Sequence, residues 1–319
     1  MKPWLCGVDF GGTKLAVVLA DREGKIHDKH VVYDHVTRTD REIATYIVQL
    51  IKKILARNTL HETELEGIGI CFPGHLRFRE GVTITTSNLP GFKNFPLRQT
   101  IQDHFQARVI LDNDANAQTY AEFLYGAGKG YDSMLFMTIS TGIGGGIVID
   151  RKLYRGMTGT AGEFGHMIID PHSPIRCGCG NYGCLMGCAS GLSLPQVFQY
   201  YQQQGMTSTL DISDPSVFNG HLLKLGMNQH DPLCEKVIAD YAHAIGTGVY
   251  NLFQIFNPPL IVLGGGLMKL GERFFQNIEA TFRKLARDMI YENITLAASA
   301  LGDDAGLIGA AALLLEHHA

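Results

Sequence analysis

The sequence has no hydrophobic run long enough to cross a membrane, and it has no block of lysine and arginine. Its apolar runs, such as residues 260–263, fall far short of the roughly 18 residues that a membrane-spanning helix needs. Its 27 basic and 31 acidic side chains give a net charge of only −4. A nearly neutral chain without a basic block has little attraction for nucleic acid or an anionic membrane. We therefore expect a small-molecule partner, no nucleic acid and no membrane.

We expect no N-terminal targeting segment, and the number of cysteines is odd. A motif already starts at Asp9, which leaves no room for a signal peptide, so we expect a cytoplasmic protein in a reducing compartment. In such a compartment, clustered cysteines are metal ligands before they are disulfides. Seven cysteines are present, and those outside the cluster described next are expected to be small buried hydrophobic residues: Cys6, Cys71, Cys188 and Cys234.

One histidine and three cysteines form the most informative motif of the chain. His166, Cys177, Cys179 and Cys184 follow the spacing H-x10-C-x-C-x4-C, with glycines between them that allow tight turns. Four nitrogen and sulfur ligands are the number that tetrahedral zinc takes. The alternative is a chance cluster of buried thiols. Because four protein ligands close the coordination sphere, we predict a structural zinc and not one that activates water.

Hydrophobic patterning over the 319 residues predicts two related α/β halves. Each half opens with a strand, a glycine-rich turn and a second strand, and helices follow. A capping box at Thr39 and Glu42 predicts the start of the first helix. Strands are expected at residues 4–10, 15–20, 68–72, 109–111, 134–139, 147–149 and 260–263. Further helices are expected at 115–125, 235–256 and 272–289, and a surface loop at 202–219.

The first glycine turn lies between two predicted strands and contains Asp9, Gly11, Gly12, Thr13 and Lys14. It is not a Walker A loop, because that motif opens a helix and here a strand follows. Backbone N–H groups and the Thr13 hydroxyl at such a hairpin tip can cradle phosphate oxygens. Lys14 lies nearby, and Asp9 can hold Mg2+ through water. The alternative is an ordinary turn without a ligand.

A second glycine turn repeats this arrangement in the other half. It contains Thr141, Gly142 and Gly144, and a strand again follows where a dinucleotide-binding fold would need a helix. Two hairpins, one in each half, suit a triphosphate held between them. Gly265 and Gly266 follow a buried strand and precede a predicted helix, which suits an adenosine pocket that residues 302–306 could complete. We therefore expect ATP to contact these turns.

Taken together, these motifs resemble the ROK family (repressor, open reading frame, kinase) within the actin/hexokinase-like superfamily. The resemblance runs over residues 9–14, 113–116, 141–146, 162–166, the cysteine cluster and 264–266. It implies an α/β, two-domain actin/hexokinase-like (ribonuclease H-like) fold with an interdomain cleft and a zinc-stabilised loop. The implied small domain covers residues 1–118 and is completed by a C-terminal helix at 303–319. The implied large domain covers 119–302.

The resemblance implies an ATP-dependent kinase that phosphorylates a hexose hydroxyl, expected at C6, with ATP, Mg2+ and structural Zn2+, in a homodimer. Glucose is favoured, and N-acetylmannosamine, N-acetylglucosamine, allose and fructose remain alternatives. Family repressors carry an extra N-terminal winged helix-turn-helix, for which we expect no room before Asp9. A sugar-sensing protein without catalysis is the alternative from a different class.

The resemblance also assigns roles to single residues. Asp114 matches the catalytic base, and a carboxylate at the end of a strand can accept the proton of an attacking hydroxyl. Without the resemblance, an Asp before a helix is more often its N-cap. His166 could bind zinc through one ring nitrogen and the sugar through the other. The positions that match sugar-binding residues are Gly74, Asn88, Asn113, Asp114, Glu163 and His166.

One position departs from the family pattern. The family continues its last zinc-ligand cysteine with x-Glu, whereas here the sequence is Cys184-Leu185-Met186. In the family that Glu contacts the sugar, and a thioether cannot accept two hydroxyl hydrogen bonds. Either a neighbouring group or water compensates, or the preference at the anomeric end of the sugar, or catalysis itself, is altered.

Overall fold

The computed structural model describes residues 4–11, 14–33, 38–86, 92–287 and 294–316. In this part of the chain the strands are β1 Trp4–Phe10, β2 Leu15–Ala20, β3 Ile26–Val32, β4 Leu65–Phe72, β5 His75–Arg77, β6 Val82–Thr85, β7 Arg108–Asn113, β8 Met134–Ile139, β9 Ile143–Ile149, β10 Lys152–Leu153, β11 Leu260–Gly264 and β12 Thr295–Ala298. The α-helices are α1 Asp40–Arg57, α2 Leu97–Gln102, α3 Asp114–Tyr125, α4 Leu185–Ala189, α5 Leu194–Gln203, α6 Gly220–Asn228, α7 Pro232–Phe256, α8 Glu272–Ala286 and α9 Ala305–Ala312.

The chain is organised in two compact units, each built around its own sheet. Unit 1 contains Met1–Ser133, Gly146–Gly162 and Ala300–Ala319, and unit 2 contains Met134–Gly145 and Glu163–Ser299. The domain boundaries expected after residues 118 and 302 stay a prediction, because contacts define a compact unit and say nothing about which fragment folds independently. Among the described residues, no helix has both the length and the apolar character to cross a membrane.

The sheet of unit 1 has the strand order β3-β2-β1-β4-β7. Strands β1, β2 and β3 form an antiparallel meander, while β1, β4 and β7 run parallel. Helices cover both faces of the sheet, so all six residues of β2 are buried. Val17 and Leu19 join the core that includes α1, whereas Ala16 and Val18 pack with Leu307 of α9 on the opposite face. This alternation is the period-2 pattern of a strand between two layers.

The predicted start of α1 is confirmed. Thr39 is the N-cap, its hydroxyl accepts the Glu42 backbone N–H at 3.3 Å, and the Glu42 carboxylate accepts the Thr39 N–H at 2.8 Å. This reciprocal pair satisfies two of the backbone donors that a helix start leaves unpaired. Apolar residues at three- and four-residue spacing then face the sheet, among them Ile43, Ile47 and Ile51.

Helix α9 lies unusually close to β4 and α3 because glycines line its path. A Cβ placed on Gly69 would lie 1.8 Å from the Ala310 carbonyl oxygen, so any side chain there would displace the α9 backbone. In the same way, a Cβ on Gly309 would lie 2.2 Å from the Ala117 carbonyl oxygen of α3. Glycine at these two positions therefore sets the depth of α9 in unit 1.

The second sheet has the order β10-β9-β8-β11-β12, and the division between the units falls within β9, after Gly145. Strands β8, β11 and β12 run parallel. Helix α7 begins after the N-cap Asp231 with Pro232 in its first turn, and it ends at Asn257 in the left-handed conformation. Helix α7 packs on α8, where a Cβ on Gly246 would lie 2.7 Å from the Ile278 carbonyl oxygen.

The glycine turn expected at residues 141–146 is shorter than predicted. Strand β9 already begins at Ile143, so Gly144, Gly145 and Gly146 lie within it. A Cβ on Gly145 would lie 2.1 Å from the Phe164 ring, and one on Gly146 would lie 2.2 Å from the Thr119 hydroxyl. These two glycines allow close packing rather than a turn. Helix α8 ends at Ala286, and residues 288–289 of the helix expected there lie outside the described residues.

Candidate functional site

The carboxyl end of the parallel strands in unit 1 gathers several acidic residues. The register pairs Asp9 of β1 with Cys71 of β4, and Cys71 with Asp112 of β7. Asn113 and Asp114 follow directly, at the step from β7 into α3. Ligands of open α/β sheets bind outside the carboxyl ends of the strands. This edge is therefore the candidate site of unit 1.

Asp9 is anchored at this edge by a cation and a thiol. Its carboxylate lies 3.1 Å from Lys14 Nζ and accepts a hydrogen bond from Cys71 Sγ at 3.4 Å. A Cβ on Gly306 would lie 3.4 Å from the same carboxylate, so the first turn of α9 also borders it. The Gly11 N–H donates to the Lys14 carbonyl at 2.8 Å, which closes the hairpin tip. Two predicted phosphate-binding residues, Gly12 and Thr13, lie outside the described residues.

The buried Cys71 thiol lies beside the Asp9 carboxylate, which accepts its hydrogen bond. Burial raises the pKa of Cys71 well above its ordinary value, and the negative charges of Asp9 and Asp114 raise it further. The group therefore stays a protonated thiol that can donate to Asp9. Cys71 is buried, as its sequence position suggested, and it is also a hydrogen-bond donor at the site.

Asn113, and not Asp114, caps helix α3. The Asn113 side-chain oxygen accepts the backbone N–H groups of Ala115 and Asn116 at 2.8 and 3.4 Å. Its amide nitrogen donates to the Gly74 carbonyl at 3.2 Å. The alternative interpretation of Asp114 as the N-cap is therefore wrong. Asp114 is the first helical residue, is half-buried, and accepts the Ala115 N–H at 2.9 Å.

The loop after β4 reaches Asn113 through Gly74. This glycine has a φ of 147°, and a Cβ there would lie 2.4 Å from the Thr85 carbonyl oxygen. Glycine is needed for that approach, and the approach brings two of the predicted sugar-binding residues together. Asn88, a third residue of the predicted set, lies outside the described residues.

In unit 2, a short turn places Glu163 and His166 against β9. Glu163 precedes a 3-10 helix at Phe164–His166. A Cβ on Gly165 would lie 2.2 Å from the Ile143 carbonyl oxygen, and the Phe164 ring packs over Gly145. Gly165 and Gly145 thus let the turn lie directly on strand β9, which fixes the backbone positions of Glu163 and His166.

The predicted metal ligands come together in unit 2. One ligand atom each from His166, Cys177, Cys179 and Cys184 lies within 4.8 Å of all the others. Cys179 and Cys184 sulfurs are 3.7 Å apart, and Cys177 Sγ is 3.8 Å from His166 Nδ1. A tetrahedron with zinc–sulfur bonds of about 2.3 Å has sulfur–sulfur edges of about 3.8 Å. The donor set and its spacing therefore fit zinc, and Nδ1 is the histidine nitrogen on the cluster side.

The predicted nucleotide-binding residues of unit 2 also lie together, with one exception. Ser140 N–H donates to the Gly142 carbonyl at 2.8 Å, which makes a tight turn that contains Thr141. A Cβ on Gly265 would lie 2.5 Å from the Ile139 carbonyl oxygen, and one on Gly266 would lie 3.2 Å from the Ser140 hydroxyl. The exception is Gly144, which lies inside strand β9 and not in the turn.

The Met186 side chain lies between these two parts of unit 2. A Cβ on Gly142 would be 3.5 Å from its terminal methyl carbon, and one on Gly165 would be 2.9 Å from it. Met186 is half-buried at the start of α4, two residues after the last cysteine of the cluster. It therefore packs against both the 140–142 turn and the turn that carries Glu163 and His166.

Sequence reasoning missed a buried ion-pair group behind Asn113. Arg155 pairs with Asp112 and Glu316, which lie 43 and 161 residues away in the sequence. Only Asp112 stood beside a recognised motif. Charged residues at such separations form no local pattern, so nothing in the sequence could have connected them.

The chain is similar in sequence and fold to a family of known proteins. Residues 5–317 match the ROK family. A ROK hexokinase from Thermus thermophilus has a TM-score of 0.84 at 32% identity, covering 97% of each chain. A ROK family glucokinase from Streptomyces griseus, solved with glucose and AMPPNP, has a TM-score of 0.77 at 30% identity, covering 97% of this chain and 98% of that one. The protein has a mixed α/β fold with hexokinase-like structural neighbours.

The chain belongs to the ROK family. The glucokinase of Halalkalibacterium halodurans is 31% identical over 96% of this chain and 93% of its own length. The xylose repressor of Bacillus spizizenii is 30% identical over 98% of this chain and 77% of its own length. The glucokinase relatives and the AMPPNP complex support a sugar kinase that binds ATP, although repressors occur in the same family.

Proposed function

We propose that this protein transfers the γ-phosphoryl group of ATP to a hydroxyl of a hexose, at C6, and that glucose is the favoured substrate. The observation that carries the proposal is the pair of carboxylates at the edge of the unit 1 sheet. The register pairs Asp9 with Cys71 and Cys71 with Asp112, and Asp114 follows β7 directly, so both carboxylates are placed at one end of the parallel strands. A phosphoryl transfer needs one group for the phosphate side and one for the attacking hydroxyl.

Asp114 is the group for the attacking hydroxyl. It is half-buried in the first turn of α3, while Asn113 takes the capping role. Its carboxylate can accept the hydroxyl proton as the sugar oxygen attacks the γ-phosphorus. Asn113 keeps one amide N–H beyond its bond to Gly74, since an amide has two N–H groups, whereas the N–H groups of Ala115 and Asn116 take both lone pairs of its oxygen.

Asp9 and Lys14 are the groups for the phosphate side in unit 1. A carboxylate is the ligand type that Mg2+ prefers, and Lys14 places a positive charge 3.1 Å from it. When bound, Mg2+ would neutralise charge that develops on the phosphate oxygens. In unit 2, we assign the 140–142 turn with Gly265 and Gly266 to the nucleotide, because the packing of these glycines on Ile139 and Ser140 brings the two segments together.

Within unit 2, Glu163 and His166 are the residues assigned to sugar binding. A zinc held by Nδ1 of His166 and the three cysteines would fix the ring and leave Nε2 to a sugar hydroxyl. Zinc would then stiffen the turn that carries Glu163 and would take no part in the chemistry.

A non-catalytic sugar-sensing protein is the second candidate. Two observations favour it. Met186 replaces the glutamate that the family places beside the sugar. A repressor is also among the relatives. The acidic residues at the unit 1 edge favour the kinase, because a sensor has no use for a base at the attacking hydroxyl.

A coupled assay of ADP release, run with Mg-ATP across a panel of hexoses and N-acetylated hexosamines, tests the proposal. Asp114→Asn keeps the Asn113 cap and should retain the fold and sugar binding, and it should lose about 100-fold or more in turnover. Near-normal turnover of that variant would remove Asp114 from the role of base. Absence of sugar-dependent ADP release in the wild type, with sugar binding intact by calorimetry, would favour the sensor.

A further inference from the structure

A buried group of three charged side chains lies behind the Asn113–Asp114 step. The side chains of Asp112, Arg155 and Glu316 are exposed by only 1%, 10% and 4%. Charges at such depth are tolerated when they are paired, and removal of one partner leaves another without compensation. All three residues belong to unit 1.

The guanidinium of Arg155 is the centre of this group. Its Nε donates to Asp112 Oδ2 at 2.8 Å, and its Nη1 donates to Glu316 Oε1 at 2.9 Å. Its Nη2 contacts both carboxylates. The guanidinium carbon also lies 4.0 Å from the centre of the Phe78 ring. Two carboxylates bind the edges of this planar guanidinium and Phe78 covers one face, so the group has a single orientation. A lysine ammonium could not reproduce these contacts.

Asp112 connects the guanidinium to the start of α3. Its second oxygen, Oδ1, accepts the Asn113 backbone N–H at 2.7 Å and the Asn116 side-chain amide at 2.9 Å. These two residues lie on either side of Asp114 and its neighbour Ala115. Asn116 is 2% exposed, and its own oxygen has no hydrogen-bond partner among the described residues, so its bond to Asp112 is what orients the amide.

Glu316 completes the group from the C-terminal segment. Besides its bonds to Arg155, its Oε1 accepts the Leu153 backbone N–H at 3.1 Å. Leu153 ends β10, two residues before Arg155. Glu316 therefore fixes the chain that carries Arg155 as well as the guanidinium itself.

Ionisation of Asp112 depends on this arrangement. Burial raises the pKa of Asp112, and the charge of Arg155 opposes that rise. Without Arg155, only the hydrogen bonds from Asn116 and Asn113 would oppose the effect of burial, so the pKa of Asp112 would rise further and its carboxyl group would take up a proton more readily. A protonated carboxyl group is a weaker acceptor, so the bonds to Asn113 and Asn116 would loosen.

We propose that Arg155 and Glu316 are positioning residues that act through Asp112 to hold Asn113 and Asp114 in the geometry needed for sugar binding and proton transfer. The expected effect on catalysis rests on the proposed function. The expected effect on the local structure of residues 113–116 does not. Neither Arg155 nor Glu316 is assigned a contact with substrate.

Two variants of Arg155 test the proposed positioning role against a matched control. Arg155→Met removes the guanidinium, and Arg155→Lys keeps the charge without the fork. Arg108→Met is the control, because Arg108 lies on the same strand β7 and donates to the Leu314 carbonyl of the same C-terminal segment at 2.8 Å, without contact to Asp112. Each variant is measured for kcat, for the KM of sugar and of ATP, and for amide hydrogen exchange at residues 113–116.

We expect Arg155→Met to lower kcat about 10-fold or more and to raise the sugar KM about 5-fold, with the ATP KM changed less than about 2-fold. Exchange at residues 113–116 should become about 10-fold faster, and Arg108→Met should leave all of these values near wild type. A purely structural role would lower the amount of folded protein and leave KM and local exchange unchanged. If Arg155→Met does not fold, Arg155→Lys should show the same pattern with smaller changes.

The outcomes separate this inference from the proposed function. A wild-type protein inactive on every sugar would overturn the function, and the exchange at residues 113–116 would still decide whether Arg155 positions the turn. An active wild type whose folded Arg155 variants keep the sugar KM, kcat and local exchange would overturn the inference and leave the function standing.

Discussion

Replacement of Met186 by glutamate should change the sugar preference of the protein. The two side chains have the same reach, so a carboxylate oxygen of Glu would take about the place of the Met186 methyl carbon. That position borders Gly165, in the turn that carries Glu163 and His166, and Gly142, in the 140–142 turn. The new carboxylate would therefore lie next to residues assigned to the sugar.

The size of the effect follows from the hydrogen bonds that Glu could add. Two restored bonds to sugar hydroxyls are worth about 1–3 kcal/mol, or roughly 5- to 150-fold in kcat/KM. We expect this gain selectively for glucose or N-acetylated hexoses. If instead Met186 packs against a substrate that lacks the usual hydroxyl, Glu would bury an unpaired charge at a half-buried position and lower activity on that substrate.

The assay is kcat/KM across the sugar panel for the wild type, Met186→Glu and two controls. Met186→Gln keeps the shape and hydrogen bonding without the charge, and Met186→Leu keeps only the apolar character. Both expected results change the relative rates among sugars, in opposite directions. Relative kcat/KM values that stay within about twofold for every sugar would show that Met186 makes no selective contact, and the reasoning would be wrong.

Two further predictions concern the metal and the acid response. Carefully purified protein should contain one zinc per chain. Cys179→Ser should lose zinc and sugar affinity together, because the metal ligands and Glu163 share one connected segment. Metal analysis that finds below about 0.2 zinc per chain would refute this prediction. Burial raises the pKa of Asp231, but hydrogen bonds from the Cys234 and Thr209 backbone N–H groups outweigh it and lower that pKa from 3.8 to about 2. The stabilisation is therefore present above pH 3.8, is lost as the pH falls to about 2, and amounts to about 2 kcal/mol. Asp231→Asn should lower the free energy of unfolding at pH 7 and flatten its pH dependence between 4 and 2 in thermal melts, and an unchanged acid response would contradict the assignment.

Local sequence predicted those features whose partners are close in the chain. The zinc ligands all fall within one short segment, so their spacing alone indicated the cluster. The two residues of the α1 capping box are three positions apart, and strands such as β2 and β11 are continuous apolar runs. Helices α5 and α6, within residues 194–228, were not predicted, because short helices carry few turns of periodic apolar pattern.

Features that depend on distant partners could not be predicted. Gly145 and Gly146 suggested a turn, because a glycine that permits a turn and a glycine that permits close packing look the same in sequence. The difference lies in Phe164 and Thr119, which approach them from other elements. The Arg155 group is a stronger case, since its connection to Glu316 spans 161 residues.

The position of α9 in unit 1 has a consequence for how the protein folds as it is synthesised. About 180 residues separate the end of α3 at Tyr125 from the start of α9 at Ala305, and they take about 10–35 s to translate at 5–20 residues per second. During that time the sheet face that includes Ala16 and Val18 has no cover from Leu307. A nascent chain with an uncovered apolar face and contacts that close over such a long loop folds slowly and is open to chaperones. Helix α9 therefore completes, late in synthesis, the unit whose sheet contains β1.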